Sequence, residues 1–239
     1  MGVSTIFGVI GLGSSLVLIP LFTMYGIDFN LAKALGLFAN GATTVSMTLN
    51  NIKKGLVDFK KVAFFAVVSS IFAILGSYSS NYIDKNIVQL LFLAFVFVSM
   101  WLLYLGHLSS KHQNSDNYNI LNVIFFISII AYIGGLIGVG GGAVYLPLFI
   151  YLGVTTKNSI VFTTALIPVV SFSAFFTYAS FIKIDWILLG VVAVAALLGG
   201  YFGNTIMHKI KNDKYLKIII TIFLAAISIE MVYKQFTGN

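Results

Sequence analysis

The sequence predicts an all-α polytopic membrane protein made of two homologous halves, each opening on a glycine-broken or re-entrant first helix. Three observations carry that expectation. The 239-residue chain is 59% hydrophobic and only 9% charged. Apolar runs long enough to span a bilayer, about 20 residues each, recur from end to end. The second half repeats landmark residues of the first at a fixed offset of 127.

A soluble domain of this size covers its surface with about 25% charged residues. The apolar excess here must face lipid, in keeping with a mean hydropathy of +1.00. The 14 basic residues are all lysine and stand against 7 acids, a net charge of +7. Nucleic acid is excluded as a partner, because no lysine run exceeds two residues and arginine is absent. Lysines that punctuate apolar segments fit the cytoplasmic edge of a membrane instead. The absence of cysteine removes disulfides, a thiol nucleophile and Cys metal sites. Residues 1–10 carry no basic stretch and lead to no A-x-A-like cleavage site, so they are expected to stay in the mature protein.

In chain order, the apolar runs fall near 1–25, 31–51, 62–81, 87–106, 120–152, 159–181, 186–207 and 216–233. The polar stretch 107–119 reads as a linker between a first transmembrane repeat, 1–106, and a second, 120–239. Six of the runs suit a single crossing. The fifth is too long for one and holds Gly138, Gly140, Gly141 and Gly142. Hydrophobic similarity between the halves is cheap, but Gly11, Gly13, Pro20, Gly26, Asp58 and Gly76 also fall on Gly138, Gly140, Pro147, Gly153, Asp185 and Gly203. That pattern indicates an internal duplication, a common build among secondary transporters. In this register the helix opening the second half near Ile120 would begin before Met1. Either the first helix of the first half is reduced or the chain starts upstream.

The lysines bear on topology. If all eight runs cross, they divide seven to each side and orient nothing. If the first and fifth runs dip in and return, one side receives Lys53, Lys54, Lys60, Lys61, Lys111, Lys157, Lys209, Lys211, Lys214 and Lys217. The other keeps Lys33, Lys85, Lys183 and Lys234. The halves are then inverted relative to each other. Balanced charge in a dual-topology protein is the competing reading.

The two glycine segments read G-L-G-S-S-L-V-L-I-P at 11–20 and G-V-G-G-G-A-V-Y-L-P at 138–147. Glycine tolerates unwound backbone and proline removes a donor, so a helix should break at both places. Broken backbone at membrane depth is tolerated where it is buried in protein or lines a cavity. Its freed N–H groups, with the positive end of the next half-helix, suit an anion. Plain helix packing through Gly134, Gly138 and Gly142 competes with this reading. A nucleotide loop does not, lacking a preceding strand and an acidic ribose ligand.

Each glycine segment is followed by a helix that ends in a short polar turn and an I/V-D-F/W signature, Val57-Asp58-Phe59 and Ile184-Asp185-Trp186. Taken as a pair, these features resemble the TauE/SafE family of membrane permeases, over residues 3–235. The resemblance implies export or exchange of small sulfur-containing anions such as sulfite, sulfonate or sulfoacetate, with no ATPase of its own. It also implies a multi-pass protein of the prokaryotic inner, or cell, membrane. The first segment departs from the pattern with Ser14 and Ser15 where the second has Gly141 and Gly142. The small-hydroxyl step Thr163-Thr164 is likewise replaced by Gly36-Leu37 in the first half. These departures bear on substrate more than on family.

The candidate substrate-binding residues are accordingly Gly13, Ser14, Ser15, Gly140, Gly141 and Gly142, joined by polar side chains of the following helices. Asn40, Thr43 and Thr44 share a helical face with Met47, so three neutral donors can converge on a ligand. Thr163 and Thr164 open the equivalent helix, with Ser171, Ser173 and Thr177 further on. The competing reading gives the hydroxyls to backbone back-bonding or interhelical contacts. It fits Asn40 least, whose amide is costly to leave unpaired in lipid. Asp58 and Asp185 read as helix caps or, less simply, as coupling-ion ligands. Glu230 near the end of the last run snorkels. His107, His112 and His208 lack metal-ligand spacing, and no metal or cofactor is expected. Pro168, aligned with Gly41, should kink its helix and mark a moving element.

The expected function is an alternating-access permease for a small anion, with the lipid bilayer as its surroundings and a proton or sodium as coupling partner. A homodimer is left open. An enzyme lacks its nucleophile and base. An anion channel, a non-transporting scaffold and a permease for small carboxylates are the alternatives.

Overall fold

The structure, a computed structural model, describes residues 14–53, 55, 59–108, 120–151 and 156–207. Every element among them is helical: α1 (Ser15–Met24), α2 (Phe29–Lys53), α3 (Phe59–Ser79), α4 (Lys85–Leu108), α5 (Ile120–Ile137), α6 (Gly142–Tyr151), α7 (Thr156–Ala179) and α8 (Trp186–Met207). The runs at 31–51, 62–81, 87–106, 159–181 and 186–207 correspond to α2, α3, α4, α7 and α8 within a few residues, the run at 120–152 divides into α5 and α6, and the described part of the run at 1–25 holds α1. The run at 216–233, Gly13, Asp58 and most of the polar stretch 107–119 lie outside the described residues. Within that stretch, α4 extends to Leu108.

Short polar residues and glycines set the helix ends. Asp28 caps α2, its Oδ1 accepting from the N–H of Asn30 at 2.8 Å and of Leu31 at 3.4 Å. Asp84 accepts from Asn86 ahead of α4 at 2.8 Å. Asp185 accepts from Ile187 and Leu188 ahead of α8, both at 3.0 Å. Each carboxylate satisfies N–H groups that a helix start leaves open, which is the capping role expected for Asp185. α1 stops at Gly26, φ +80°. There Ile27 N–H bonds Phe22 O and Gly26 N–H bonds Thr23 O, both at 3.1 Å, the paired closure of a Schellman turn.

Among the described residues, three helices contain stretches long and apolar enough to cross a membrane: Val62–Ser79 in α3, Ile120–Ile137 in α5 and Val161–Ala179 in α7. α2 has the length, at 25 residues, but its lysines, asparagines and threonines make it too polar to face lipid. It is buried against α1, α7 and α8 instead. α7 packs on both α2 and α3, and α3 packs on α5. Large apolar side chains such as Val67 and Ile71 of α3, Leu121 and Phe125 of α5, and Ile187 and Val191 of α8 point outward. An open groove of about 620 Å³ between α3 and α5, lined by Val68, Phe72, Phe125 and Tyr132 among others, belongs to that apolar surface.

Two helix pairs meet backbone to backbone. A Cβ on Gly76 of α3 would collide with the Tyr132 carbonyl of α5, and one on Gly135 with the Ala73 carbonyl of α3. Gly200 of α8 similarly allows the Thr43 carbonyl of α2 to approach, 2.5 Å from where its Cβ would stand. Small residues that let backbones touch are the usual means of holding membrane helices together.

Candidate functional site

The site begins where α5 stops. Gly138 closes α5 with a second Schellman turn, Val139 N–H bonding Gly134 O at 2.8 Å and Gly138 N–H bonding Gly135 O at 3.2 Å. Gly138, Gly140 and Gly141 have φ of +82°, +69° and +75°. Three left-handed residues within four positions require glycine, because a Cβ in that conformation meets the following carbonyl. The Tyr178 hydroxyl of α7 serves two carbonyls at the end of α5, Gly135 O at 3.0 Å and Leu136 O at 2.7 Å. The helix resumes as α6, where Val144 and Tyr145 N–H bond back to Gly141 O at 3.0 and 3.1 Å.

Each of these three glycines gives room to a polar side chain. At Gly138 it is the stem of Lys33, whose Cβ lies 2.5 Å from the place a Gly138 Cβ would take. At Gly140 it is Ser171 Oγ, with Asn40 Nδ2 at 3.1 Å. At Gly141 it is the Tyr145 ring, its hydroxyl 3.1 Å away. Ser15 Oγ, from the start of α1, donates to Val139 O at 2.7 Å. Asn40 Nδ2 donates to the same carbonyl at 3.2 Å and to Ser171 Oγ at 3.0 Å. The break is therefore held by α1, α2 and α7 together.

Several polar atoms are buried without a hydrogen-bond partner among the described residues: Asn40 Oδ1 and Tyr145 Oη at the break, Ser69 Oγ beside Tyr145, and Ser14 Oγ and Thr163 Oγ1 elsewhere. Ser69 of α3 neighbours the Tyr145 hydroxyl, yet the two do not close a bond. An orphaned buried polar atom costs about 1–3 kcal/mol. Native proteins leave few such atoms, and each has a cause, such as strain, chemistry or a bound water or ion.

Of the candidates named from sequence, the structure brings Ser15, Asn40 and Gly140 together, with Gly141 and the first residue of α6, Gly142, adjoining. Ser14 is buried at the start of α1. The three donors of the Asn40 face do not converge. Thr43 Oγ1 donates to Ala196 O of α8 at 3.3 Å, and Thr44 Oγ1 donates to Asn40 O at 2.7 Å. The 40, 43, 44 spacing covers an arc wide enough to face two neighbours, so α8 takes one of the three and the helix's own backbone another. Thr164 Oγ1 accepts from Asn51 Nδ2 at 3.0 Å and donates to Val161 O at 3.1 Å. Thr163 is buried one position before it.

Lys33 differs from its sequence-based placement as a boundary lysine. The Asp28 cap starts α2 ahead of it, which carries the lysine inside the bundle, where it is 1% exposed. Ser171 and Tyr178 gain roles that no spacing rule assigns, since both depend on which face of α7 meets the break. The nearest signal was Ser171's place in the series of α7 hydroxyls.

Apolar outer faces around a buried, polar backbone break are the build of a multi-pass membrane transporter. The chain belongs to the sulfite exporter TauE/SafE family, whose profile matches residues 1–231. It is similar to a "Probable membrane transporter protein" of Xylella fastidiosa, 24% identical over 97% of this chain and 91% of the relative. It is also similar to the "Probable membrane transporter protein YunE" of Bacillus subtilis, 24% identical over 96% of this chain and 93% of that one. A "Probable membrane transporter protein" of Methanocaldococcus jannaschii is 21% identical over 92% of this chain and 88% of its own length. No solved structure gives a comparable match.

Proposed function

We propose that the chain is an alternating-access permease of the cell membrane that exports or exchanges small sulfur-containing anions, the class of sulfite, sulfonate and sulfoacetate. The anion binds at the Gly138–Gly141 break. The observation that carries this reading is the arrangement of three left-handed glycines against a lysine, an amide–hydroxyl pair and a tyrosine hydroxyl. Open hydroxyls and the N-terminal N–H groups of α6 suit an oxyanion, which accepts hydrogen bonds and donates few.

A duplicated build is supported by the helix starts. α6, α7 and α8 begin at Gly142, Thr156 and Trp186, each 127 residues after the starts of α1, α2 and α3 at Ser15, Phe29 and Phe59. The Ser15–Val139 bond, 2.7 Å long, supports a meeting of the two glycine segments at the site. Rocking of one half against the other then opens the site to either side in turn. Substrate moves down its own gradient or with a proton or sodium.

Counterflow in proteoliposomes with sulfite, methanesulfonate and short carboxylates, with and without a proton gradient, tests this. Saturable exchange preferring the sulfur anions is the expected result. Gly140→Leu should abolish it while the protein still reaches the membrane, since the side chain enters the Asn40–Ser171 contact. Exchange of none of these anions, or full activity in Gly140→Leu, would sink the proposal.

A further inference from the structure

We propose that Lys33 binds the transported anion by its charge, on the path between the glycine break and the Ser80 end of the bundle. The inference deepens the anion-permease reading above and rests on it. Lys33 is one of the largest fully buried side chains among the described residues. Its stem passes where Gly138 has no Cβ, which would lie 2.5 Å from Lys33 Cβ and 2.6 Å from Cγ. Its ammonium donates to Ser80 Oγ at 2.7 Å. It lies 5.0 Å from the centroid of the Phe29 ring and 4.7 Å from that of Tyr178.

No carboxylate among the described residues pairs with it. Asp28, five positions earlier, is near enough to attract the ammonium, but it caps α2 and makes its ion contact with Lys85, at 3.8 Å. Snorkelling does not explain the placement, because the head of a snorkelling lysine reaches water and Lys33 is 1% exposed. A buried charge with no ion-pair partner is costly, and inside a membrane such a residue is by default functional.

An ammonium has three donors, and Ser80 takes one. The two rings offer cation–π attraction but no acceptor lone pairs. A small oxyanion supplies both the missing acceptors and the missing charge. Lys33 and Asn40 are seven residues apart on α2, two turns along one face, about 10 Å. An anion leaving the Asn40–Gly140 contact along that face therefore meets the ammonium next.

Sulfite counterflow in proteoliposomes with Lys33→Met and Lys33→Arg tests the assignment. Lys33→Met keeps most of the stem and should reach the membrane at the wild-type level, since removing an unpaired buried charge does not destabilise. Its KM for sulfite should rise about tenfold or more, the size of a lost hydrogen bond to a charged group. Lys33→Arg should lie closer to wild type. A wild-type KM in Lys33→Met, a larger defect in Lys33→Arg than in Lys33→Met, or loss of Lys33→Met from the membrane would overturn the inference. The last outcome would show that the ammonium holds the fold. Failure of the wild-type protein to exchange any anion defeats the permease reading itself, and this inference with it.

Discussion

α2 and α7 flank the same backbone break, both buried, yet they contribute different chemistry to it. α2 brings a cation and an amide, Lys33 against Gly138 and Asn40 against Gly140. α7 brings hydroxyls that hold other groups in place, Ser171 under the Asn40 amide and Tyr178 on the carbonyls that end α5. At their far ends the two helices are tied directly, Thr48 Oγ1 donating to Thr164 O at 2.6 Å and Asn51 Nδ2 to Thr164 Oγ1 at 3.0 Å. Under the permease proposal, these two helices, which start 127 residues apart, divide the work: α2 meets the anion and α7 positions the groups that do.

That contrast can be broken. Asn40→Leu should have the largest effect, a loss of about 2–3 kcal/mol in sulfite kcat/KM, because it removes the amide and leaves Val139 O and Ser171 buried with one partner fewer. Tyr178→Phe should cost about 1–2 kcal/mol of stability, read by thermal unfolding in detergent, as the end of α5 loses a donor to two carbonyls. Its effect on sulfite KM should be smaller than that of Asn40→Leu. Ser171→Ala should lower kcat/KM by about 1 kcal/mol, acting only through the aim of Asn40. Equal losses from Asn40→Leu and Ser171→Ala would erase the distinction between meeting and positioning. Thr44→Val should change both transport and stability by less than about 0.5 kcal/mol, since its hydroxyl only returns to its own helix. A large transport defect there would restore Thr44 as a ligand-facing group.

The helices were legible because apolar run length, aspartates and glycines are local signals. Asp185 precedes α8 and caps it, and Gly138 stands where α5 stops. The choice of face was not legible. In a soluble protein the apolar stripe of a helix points to the core. In this chain both the lipid side and the core side are apolar, so periodicity could not tell whether Thr43 or Asn40 faces the break. Lys33 was misplaced for a related reason. Charge was read as a marker of the membrane edge, whereas one turn of helix beyond the Asp28 cap was enough to enclose it. Tyr178 depends on a contact across 42 residues, which no window of sequence contains.

The backbone-to-backbone contacts have a mechanical consequence. At Gly76 and Gly135 no side chain stands between α3 and α5, and at Gly200 little stands between α8 and α2. Two helices joined along such a seam cannot roll over each other without driving a carbonyl into a Cα. Each seam joins a helix from before residue 107 to one from after it, α3 to α5 and α2 to α8, so rocking between the two parts of the chain has to slide along the seams rather than turn across them. α7 packs against both seam pairs, through α3 and through α2, and carries Pro168 inside it, a place where a helix pressed from two sides can bend.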